Sequence, residues 1–461
     1  MDFSVRNLDV TVVGAARSGL AAVDLLQSRG ARVTLADMGE RLPENVSADV
    51  LRSRGIRVEL GPHRLDQFTR ANLVVVSPGV PLEQPALTEA RNAGVPILGE
   101  LELAARWVRG RVIAITGTKG KSTTTTLTSR MLIEAGLDAP AVGNIGSPWC
   151  ARVDASTAAT VSVVEASSFQ LESIDTFHPW IAVLLNLSPD HLDRHPSVEA
   201  YAAAKARIFV NQTHADWAVV NADDPSALAL ARNARARRFD FSLDGTLAEG
   251  VTVEGDAIVR RAGGVSAPLL PLGAVNLPGR HLLADVLAAA AVACLAGVPP
   301  EAMQRAVSGF HGLPHALERV GVIDGVTFIN DSKATNIASA HRAIESFNRG
   351  VVVILGGRYK GGKFEDLREI VADKCAAVVA IGEAKGLVRA ALEGVVPVHD
   401  ADSMGDAVTQ ARALAPADGT VLLAPACSSF DMFVDYQARG RAFTEEVRRM
   451  SDGQSSAQAP R

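Results

Sequence analysis

The chain has 461 residues, which is too many for one hydrophobic core and predicts about three domains. Hydrophobic residues make up 48% of the sequence and charged residues 21%, a balance typical of a globular protein in water and not of a disordered one. The net charge of −5 argues against a general nucleic-acid-binding protein, because such proteins need a basic surface.

Cysteine usage and the apolar segments indicate the compartment. The four cysteines are scattered without any Cys-x-x-Cys spacing, which offers neither a disulfide framework nor a zinc site and is typical of a reducing environment. The N-terminus has no basic region followed by an apolar core, so export is not expected. The longest apolar run, 282–297, contains Asp285 and predicts a buried helix. We expect a cytoplasmic protein without membrane insertion.

The first block of the chain predicts a βαβ unit. A strand leads into the loop Gly14–Gly19, a helical stretch follows, and a second strand ends in Asp37. Ala16 replaces the middle glycine of a dinucleotide fingerprint, which disfavours nicotinamide or flavin and leaves two alternatives, a nucleotide diphosphate or a structural turn. A further strand ends in Ser77–Gly79, at the carboxyl edge where such sheets bind ligands.

The second block contains a phosphate-binding pattern. The apolar run Val112–Ile115 ends in a turn bracketed by Gly117 and Gly120, and Lys121 and Ser122 open a helix. Backbone N–H groups and the helix dipole then face an anion, the lysine reaches the terminal phosphates and the hydroxyl holds Mg²⁺. The strict P-loop pattern has glycine where Ile115 stands, so an ordinary strand-to-helix turn is the alternative.

Acidic and histidine side chains follow the next two strands of this block. Glu165 ends one of them, where a Mg²⁺ ligand belongs beside a phosphate loop. His191, beside Asp190 and Asp193, could ligate a second metal, although helix capping and solvation explain the cluster equally simply. Lys205 lies in a helical stretch and, from the residues alone, reads as a solvated surface side chain.

The third block predicts another parallel α/β domain. Its expected strands lie at 326–330, 351–355, 377–381, 395–398 and 420–424. Polar segments follow three of them, at 330–336, 356–361 and 425–431, and Cys427 reads as a small loop residue and not a nucleophile. The boundaries are 1–100, 101–313 and 314–450 for the domains and 451–461 for a polar tail that we expect to be disordered.

Seven motifs occur in the order found in Mur ligases, and the chain resembles that family over nearly its whole length. They are TGTKGKST (116–123), GNIG (143–146), EASSFQLE (165–172), DHLD (190–193), GLPH (312–315), NDSKATN (330–336) and PACSS (425–429). The strings at 167–172 and 331–336 look like the branch that adds D-glutamate to UDP-N-acetylmuramoyl-L-alanine in peptidoglycan synthesis. The resemblance implies a monomeric α/β protein with a Rossmann-like UDP-sugar domain, a P-loop-like ATPase domain and a Rossmann-like amino-acid-binding domain.

The resemblance also implies roles for individual residues. The UDP-sugar would contact Gly14, Arg17, Ser18, Asp37, Ser77, Gly79 and Asn144. ATP would contact Gly117, Thr118, Lys119, Gly120, Lys121, Ser122, Thr123 and Asp331. The incoming amino acid would contact Thr335, Lys360, Ser429 and Tyr436. The catalytic residues would be Lys121, Glu165, His191, Lys205 and Lys333.

Two Mg²⁺ ions are implied in the same way. One would lie between Ser122 and Glu165, and the second would use His191 and Lys205, the latter as a carbamate. This implication reverses the surface prediction for Lys205, because CO₂ turns its amine into an oxygen ligand. The reaction would pass through an acyl phosphate, formed when a carboxylate attacks the γ-phosphate of ATP and then consumed by the amine of glutamate.

Five positions depart from the family pattern and bear mainly on nucleotide affinity. They are Lys119, Leu282 and Asp285, where asparagine is usual, Ala316, where arginine is usual, and Lys363, where aspartate is usual. We expect Lys119 to supply part of the charge that Ala316 lacks, with Arg319 as a second candidate if that segment is helical.

Two other functions remain open at this stage. The chain could be a sister ligase that adds another amino acid or acts on folate, although the string at 167–172 speaks against this. It could also be a weakly catalytic paralogue that binds UDP-sugars as a scaffold or regulator, for which Leu282 and Ala316 are the support.

Overall fold

The structure is a computed structural model that describes residues 3–43, 46–191, 194–277 and 279–457. It contains three mainly parallel sheets with flanking helices, which confirms the predicted α/β class, and one small sheet. The chain divides into two compact units, Met1–Val275 with Ala284–Ser308 and Asn276–Leu283 with Gly309–Arg461. The first two predicted domains therefore share one unit, and the division near residue 100 stays a prediction.

The first sheet has five parallel strands in the order β3-β2-β1-β4-β5. They are β1 (Asp9–Val13), β2 (Arg32–Asp37), β3 (Arg57–Leu60), β4 (Leu73–Val76) and β5 (Ile97–Gly99). The helices are α1 (Arg17–Ser28), α2 (Ala48–Ser53), α3 (Leu65–Thr69), α4 (Pro85–Asn92) and α5 (Glu100–Ala105). Since β1 lies between β2 and β4, the loops after these three strands meet at one edge of the sheet.

The second sheet has six parallel strands in the order β11-β10-β9-β6-β8-β7. They are β6 (Arg111–Thr116), β7 (Ala141–Gly143), β8 (Val161–Glu165), β9 (Ile181–Leu184), β10 (Trp217–Val220) and β11 (Arg237–Arg238). The helices are α6 (Lys121–Glu134), α7 (Ser168–Glu172), α8 (Val198–Ala206) and α9 (Pro225–Leu230), with 3₁₀ helices at Trp149–Ala155 and Arg207–Phe209. The strands β9, β6 and β8 are neighbours, so their polar carboxyl ends converge.

A small sheet, one helix and residues 284–295 of another helix complete the first unit. The sheet is β12 (Asp240–Ser242), β13 (Gly250–Glu254), β14 (Ala257–Ala262) and β15 (Val265–Pro271), followed by a 3₁₀ helix at Leu272–Ala274 and by α10 (Arg280–Leu295) and α11 (Pro300–Ser308). The predicted buried helix at 282–297 is confirmed, because residues 286–293 of α10 are fully buried.

The second unit contains a six-stranded sheet in the order β16-β17-β21-β18-β19-β20, with β16 antiparallel to its neighbour. The strands are β16 (Glu318–Ile323), β17 (Val326–Asn330), β18 (Val351–Gly356), β19 (Cys375–Ile381), β20 (Val398–Ala401) and β21 (Thr420–Ala426). The helices are α12 (Ile337–Glu345), α13 (Arg368–Lys374), α14 (Lys385–Leu392), α15 (Met404–Leu414) and α16 (Tyr436–Ala457), with a 3₁₀ helix at Phe364–Leu367.

Two predictions for this unit were wrong in position. The strand expected at 395–398 is β20 (Val398–Ala401), because Val395 still belongs to the turn that ends α14, donating its N–H to the carbonyl of Leu392 at 3.0 Å. Helix α16 continues to Ala457, so residues 451–457 of the expected disordered tail are helical, and 458–461 lie outside the described residues.

None of the helices in the described ranges is long and apolar enough to cross a membrane.

Candidate active site

A cavity of about 490 Å³ lies at the carboxyl edge of the first sheet. Its walls include all seven residues predicted to contact a UDP-sugar: Gly14, Arg17, Ser18, Asp37, Ser77, Gly79 and Asn144. Gly14 follows β1, Asp37 ends β2 and Ser77 follows β4, so sheet order explains why these distant residues meet. The structure thus brings the predicted set together, and its role in binding stays a prediction.

The loop after β1 is held by hydrogen bonds and by close packing. The carboxylate of Asp37 accepts the N–H of Ala15 at 2.6 Å and that of Gly39 at 2.8 Å. A Cβ atom on Gly19 would lie 1.8 Å from the carbonyl oxygen of Gly14, so only glycine fits there. Asp37 therefore shapes the loop through backbone contacts that its sequence position did not predict.

The first turn of α1 is available to an anion. In the described part of the chain its N-cap residue, Ala16, makes no side-chain cap, and backbone N–H groups in the first turn of a helix suit an oxyanion. Arg17 donates from its guanidinium to the carbonyl of Gly146, in the loop after β7. This contact connects the loop after β1 with the motif that carries Asn144.

The phosphate loop predicted from the sequence has the expected geometry. It connects β6 to α6, and Gly120 adopts a left-handed conformation with φ of 83° at the N-cap of the helix, again without a side-chain cap. A Cβ on Gly120 would lie 2.0 Å from Oδ1 of Asp285 on α10, so the loop packs directly on a buried carboxyl. Burial raises the pKa of Asp285 well above its ordinary value, which favours the neutral acid beside an anion site.

The lysine of the loop contacts the loop's own carbonyl groups, and the predicted roles of its lysine and hydroxyl side chains stay predictions. The ammonium of Lys121 donates to the carbonyls of Gly117 and Thr118 at 3.0 and 2.9 Å. Ser122 and Thr123 lie in the first turn of α6, where their N–H groups face the same edge as those of the loop.

Asn186 is a structural partner of the phosphate loop that the sequence analysis missed. Its side-chain carbonyl accepts the N–H groups of Thr118 and Lys119 at 3.1 and 2.9 Å, and its amide donates to the carbonyl of Lys119 at 3.1 Å. The available signal was that Asn186 is the first polar residue after the apolar run 181–185, which contains β9.

Glu165, the predicted Mg²⁺ ligand, is buried at the end of β8. Its Oε1 accepts the side-chain amide of Asn144 at 2.7 Å. Within the described ranges no donor reaches its buried Oε2. An unpaired carboxylate oxygen inside a protein is costly, so this atom is suited to a cation.

Lys205 is buried and not solvated, which corrects the reading from the residues alone. Only 1% of it is exposed, and its Nζ donates to the carbonyl of Gly117 at 2.7 Å and lies 4.6 Å from the ring centre of Tyr201. Burial and the repulsion of Lys121 lower the pKa of Lys205 to about 6, against the opposing attraction of Asp190 and Glu165. The amine is therefore largely neutral at pH 7.

His191 lies in the same cluster, packed by aromatic rings. Its backbone has φ of 55°, and its ring centre is 5.1 Å from Phe169 and 6.4 Å from Tyr201. His195 stacks on Phe169, with the ring centres 5.1 Å apart. Asp193, which we grouped with His191, lies outside the described residues; among those described, no three His, Cys, Asp or Glu side chains form a metal-binding group.

Lys119 forms an ion pair within the loop region. Its Nζ lies 3.2 Å from Oδ2 of Asp190. Burial would raise the pKa of Asp190, but Lys119 and His191 outweigh it, so the pKa is below its ordinary value. The added positive charge at position 119 is thus balanced by a neighbouring carboxylate.

In the second unit, the predicted amino-acid-binding residues follow three adjacent strands. Thr335 comes after β17, Ser429 after β21 and Lys360 after β18, and these strands are neighbours in the sheet. Tyr436 begins α16, and its carbonyl accepts the hydroxyl of Ser332 at 2.8 Å. Lys333 is exposed. Asp331, in contrast, is buried, and its burial raises its pKa to about 7.

Arg439 holds these loops together and was missed by the sequence analysis. It is 2% exposed and donates to Ser332 Oγ and the Ser332 carbonyl, each at 2.9 Å, and to the Cys427 carbonyl at 3.0 Å. Burial lowers its pKa to about 10. A lone arginine within a long amphipathic helix gave no local signal of burial.

The departures in this unit have structural explanations. Leu282 packs in the apolar cluster that includes Leu317 and Ile337. Ala316 lies in a turn, donating its N–H to the carbonyl of Leu313 at 3.1 Å, and Arg319 is in strand β16. The helical relation between Ala316 and Arg319 that we considered is therefore wrong. Lys363 is exposed just before the 3₁₀ helix at Phe364–Leu367.

Three family models match consecutive parts of the chain. They are described as the Mur ligase MurD-like N-terminal domain, at residues 8–99, the Mur ligase middle domain, at residues 115–293, and the Mur ligase glutamate ligase domain, at residues 317–427. Each matched range contains most or all of one of the three mainly parallel sheets, in chain order.

Full-length relatives agree with these matches. A UDP-N-acetylmuramoylalanine--D-glutamate ligase from Acidobacterium capsulatum is 47% identical over 442 residues, which is 95% of each chain. A protein of the same name from Koribacter versatilis is 42% identical over 448 residues, 97% of this chain and 99% of the relative. The crystal structure of UDP-N-acetylmuramate-alanine ligase MurC from Thermotoga maritima has a similar fold, with a TM-score of 0.59, 19% identity and coverage of 96% of this chain and 100% of that one.

Proposed function

This chain belongs to the Mur ligase family, and on that premise we propose that it joins D-glutamate to UDP-N-acetylmuramoyl-L-alanine, with conversion of ATP to ADP and phosphate. The observation that carries the proposal is the phosphate loop between β6 and α6 with Glu165 and Lys205 beside it. The 47% identity to a relative of this named activity, over 95% of both chains, supports the choice of amino acid.

The proposed reaction has two steps. The carboxylate of the alanyl group attacks the γ-phosphorus of ATP, giving an acyl phosphate and ADP. The amine of glutamate then attacks the acyl carbon, an amide bond forms, and phosphate leaves with the amine losing a proton. The side chain of Lys121 and the backbone N–H groups in the first turn of α6 would neutralise and orient the phosphates.

Mur ligases use ATP and Mg²⁺, and the residues present here fit the metal. Glu165 offers a buried carboxylate oxygen with no donor in the described part of the chain, and Ser122 lies in the first turn of α6. We propose that these two hold one Mg²⁺ and that His191 and Lys205 hold a second. The ions would offset the charge of the crowded phosphates.

The carbamate proposal rests on the state of the Lys205 amine. A neutral amine adds to CO₂ through its lone pair, and one proton leaves to solvent, giving a carbamate anion. Burial against Gly117 keeps Lys205 unprotonated near pH 7, which satisfies the first requirement. The product is an oxygen ligand of the kind Mg²⁺ prefers.

The remaining roles are proposed on sequence position and placement. The cavity of about 490 Å³ would hold the UDP-sugar, with the first turn of α1 at its diphosphate. Thr335, Lys360, Ser429 and Tyr436 would bind the carboxylates of glutamate, and Asp331 and Lys333 would contact ATP and the reacting groups. Since one chain carries all these residues, we propose that the protein is a monomer. We also propose that it acts in the cytoplasm and, given its net charge of −5, has no nucleic-acid partner.

The test is ATP-dependent phosphate release by the purified chain. We expect release only when UDP-N-acetylmuramoyl-L-alanine, D-glutamate, ATP and Mg²⁺ are all present, with omission of each component as the control. Robust turnover with lysine, diaminopimelate or folate in place of the glutamate would contradict the assignment. Tight UDP-sugar binding without any phosphate release would favour the scaffold alternative.

A further inference from the structure

Arg194 connects two loops that sequence reasoning treated separately. Its guanidinium donates to the carbonyl of Gly79 at 3.1 Å and to that of Val80 at 2.7 Å. Gly79 and Val80 both line the cavity of about 490 Å³ at the edge of the first sheet. The half-buried side chain of Arg194, which lies in the chain between β9 and α8, thus contacts part of the cavity wall.

The guanidinium of Arg194 also packs on an aromatic ring. It lies 4.6 Å from the ring centre of Phe169, a distance typical of a cation–π contact. The same ring packs against His191 and His195, each with centres 5.1 Å apart. The orientation of Arg194 is therefore tied to the ring cluster that surrounds the proposed metal ligand His191.

The backbone reinforces this connection. The N–H of Arg194 donates to the carbonyl of His191 at 3.0 Å. The main chain of Arg194 is therefore bonded to His191, and its side chain is bonded to Gly79 and Val80 in the cavity wall. The planar fork of arginine suits two adjacent carbonyl acceptors in a way that the single ammonium of lysine does not.

We propose that Arg194 is a positioning residue that holds the Ser77–Val80 loop in the shape that binds the nucleotide sugar and connects this loop to His191. The proposal rests on the proposed function, since it takes UDP-N-acetylmuramoyl-L-alanine as the occupant of the cavity. Arg194 acts through the backbone of the loop, because both donations go to carbonyl groups of the chain.

The test measures two affinities in the full-length chain. Binding of UDP-N-acetylmuramoyl-L-alanine is measured by calorimetry without ATP, and the KM for ATP is measured by phosphate release. We expect Arg194→Ala to weaken nucleotide-sugar binding at least about tenfold, which corresponds to about 1.4 kcal/mol, and to change the ATP KM by less than about twofold. A purely structural role would lower both affinities together.

Arg237 offers a matched control. It stacks on Trp217 at 4.0 Å and donates to the carbonyl of Ala215 at 3.4 Å, and neither partner lines the cavity. Arg237→Ala removes the same kinds of contact and should leave nucleotide-sugar binding within about twofold of the parent. Thermal midpoints of both variants show whether the losses of stability are similar.

The outcomes separate the inference from the proposed function. A parent chain that does not bind the nucleotide sugar contradicts the proposed function and the inference with it. A parent that binds it, together with an Arg194→Ala variant within about twofold of the parent, overturns the inference alone. If the alanine variant does not fold, Arg194→Lys decides: a loss of about threefold or more supports the inference, and a smaller loss overturns it.

Discussion

The side-chain nitrogen of Lys205 and the carbonyl oxygen of Gly117 lie 2.7 Å apart, although 88 residues separate them in the chain. Lys121 donates to the same oxygen at 3.0 Å. Two protonated amines on one buried acceptor would repel each other. Burial and this repulsion by Lys121 lower the pKa of Lys205 to about 6. The phosphate loop therefore has a largely neutral amine, that of Lys205, in direct contact with it.

We expect Lys205→Ala to reduce phosphate release by about a hundredfold or more, because a proposed ligand of the second Mg²⁺ is lost. Acetate or formate at high concentration should restore part of the activity by supplying a carboxylate at that position. In ¹³CO₂-saturated buffer, the parent should show a carbamate carbon signal by NMR that the variant lacks.

Lys385→Ala is the control for this experiment. Lys385 is partly exposed, and its hydrogen bond to Asp402 raises its pKa, so its amine stays protonated and does not take up CO₂. This variant should keep both the activity and the carbamate signal. Full activity of Lys205→Ala would rule out the carbamate role.

We expect Lys121→Ala to lower kcat/KM for ATP by at least about tenfold, since charge-assisted contacts contribute on the order of 1.5–3 kcal/mol. The affinity for the nucleotide sugar, measured without ATP, should stay the same, because the walls of its cavity do not include Lys121. Arg305→Ala serves as the control, since Arg305 pairs with Glu134 at the other end of α6 at 3.1 Å. An equal fall in nucleotide-sugar affinity would contradict the separation of the two sites.

We expect Lys119→Asn to raise the KM for ATP by about threefold or more, because Asp190 then faces the triphosphate without its partner at 3.2 Å. Adding Asp190→Asn should restore much of the KM, and Asp190→Asn alone is the matched single variant. If the KM for ATP is the same in Lys119→Asn and in the parent, the charge at position 119 has no role in nucleotide binding.

We expect Asp331→Asn to stabilise the chain more at pH 8 than at pH 5. Burial raises the pKa of Asp331 from 3.8 to about 7, so the folded state keeps a proton that the unfolded state releases between these values. Stability contributed by the neutral acid is thus present at low pH and lost as the pH rises through about 7. Asparagine has no such dependence, and thermal midpoints at the two pH values measure the difference.

Asp373→Asn is the comparison for this prediction. Asp373 is exposed, and its hydrogen bonds to Arg349 and Lys374 lower its pKa, so it is ionised at both pH 5 and pH 8. The effect of this substitution should therefore be the same at the two pH values. A pH-independent effect of Asp331→Asn would show that Asp331 does not change its protonation in this range.

Local patterns in the sequence were sufficient for the fold class and for the positions of the glycine loops after β1 and β6. Strands such as Leu73–Val76 are uninterrupted apolar runs because parallel strands are buried on both faces, and Gly120 and Gly19 occupy places where a side chain would collide with a neighbour. The seven motifs, which occur in the order found in Mur ligases, then implied roles for residues such as Thr335 and Lys360. No rule of residue spacing could assign these roles.

Contacts between distant parts of the chain decided the rest. A lone lysine in a helix looks solvated until α8 packs against Gly117, and the burial of Lys205 and Arg439 follows from sheets assembled over more than a hundred residues. The link from Arg194 to Gly79, 115 residues apart, exists only because two sheets meet at one cavity. Sequence determines which groups are available and where strands end, whereas burial, pKa and pairing depend on the packing of segments that have no local relation to one another.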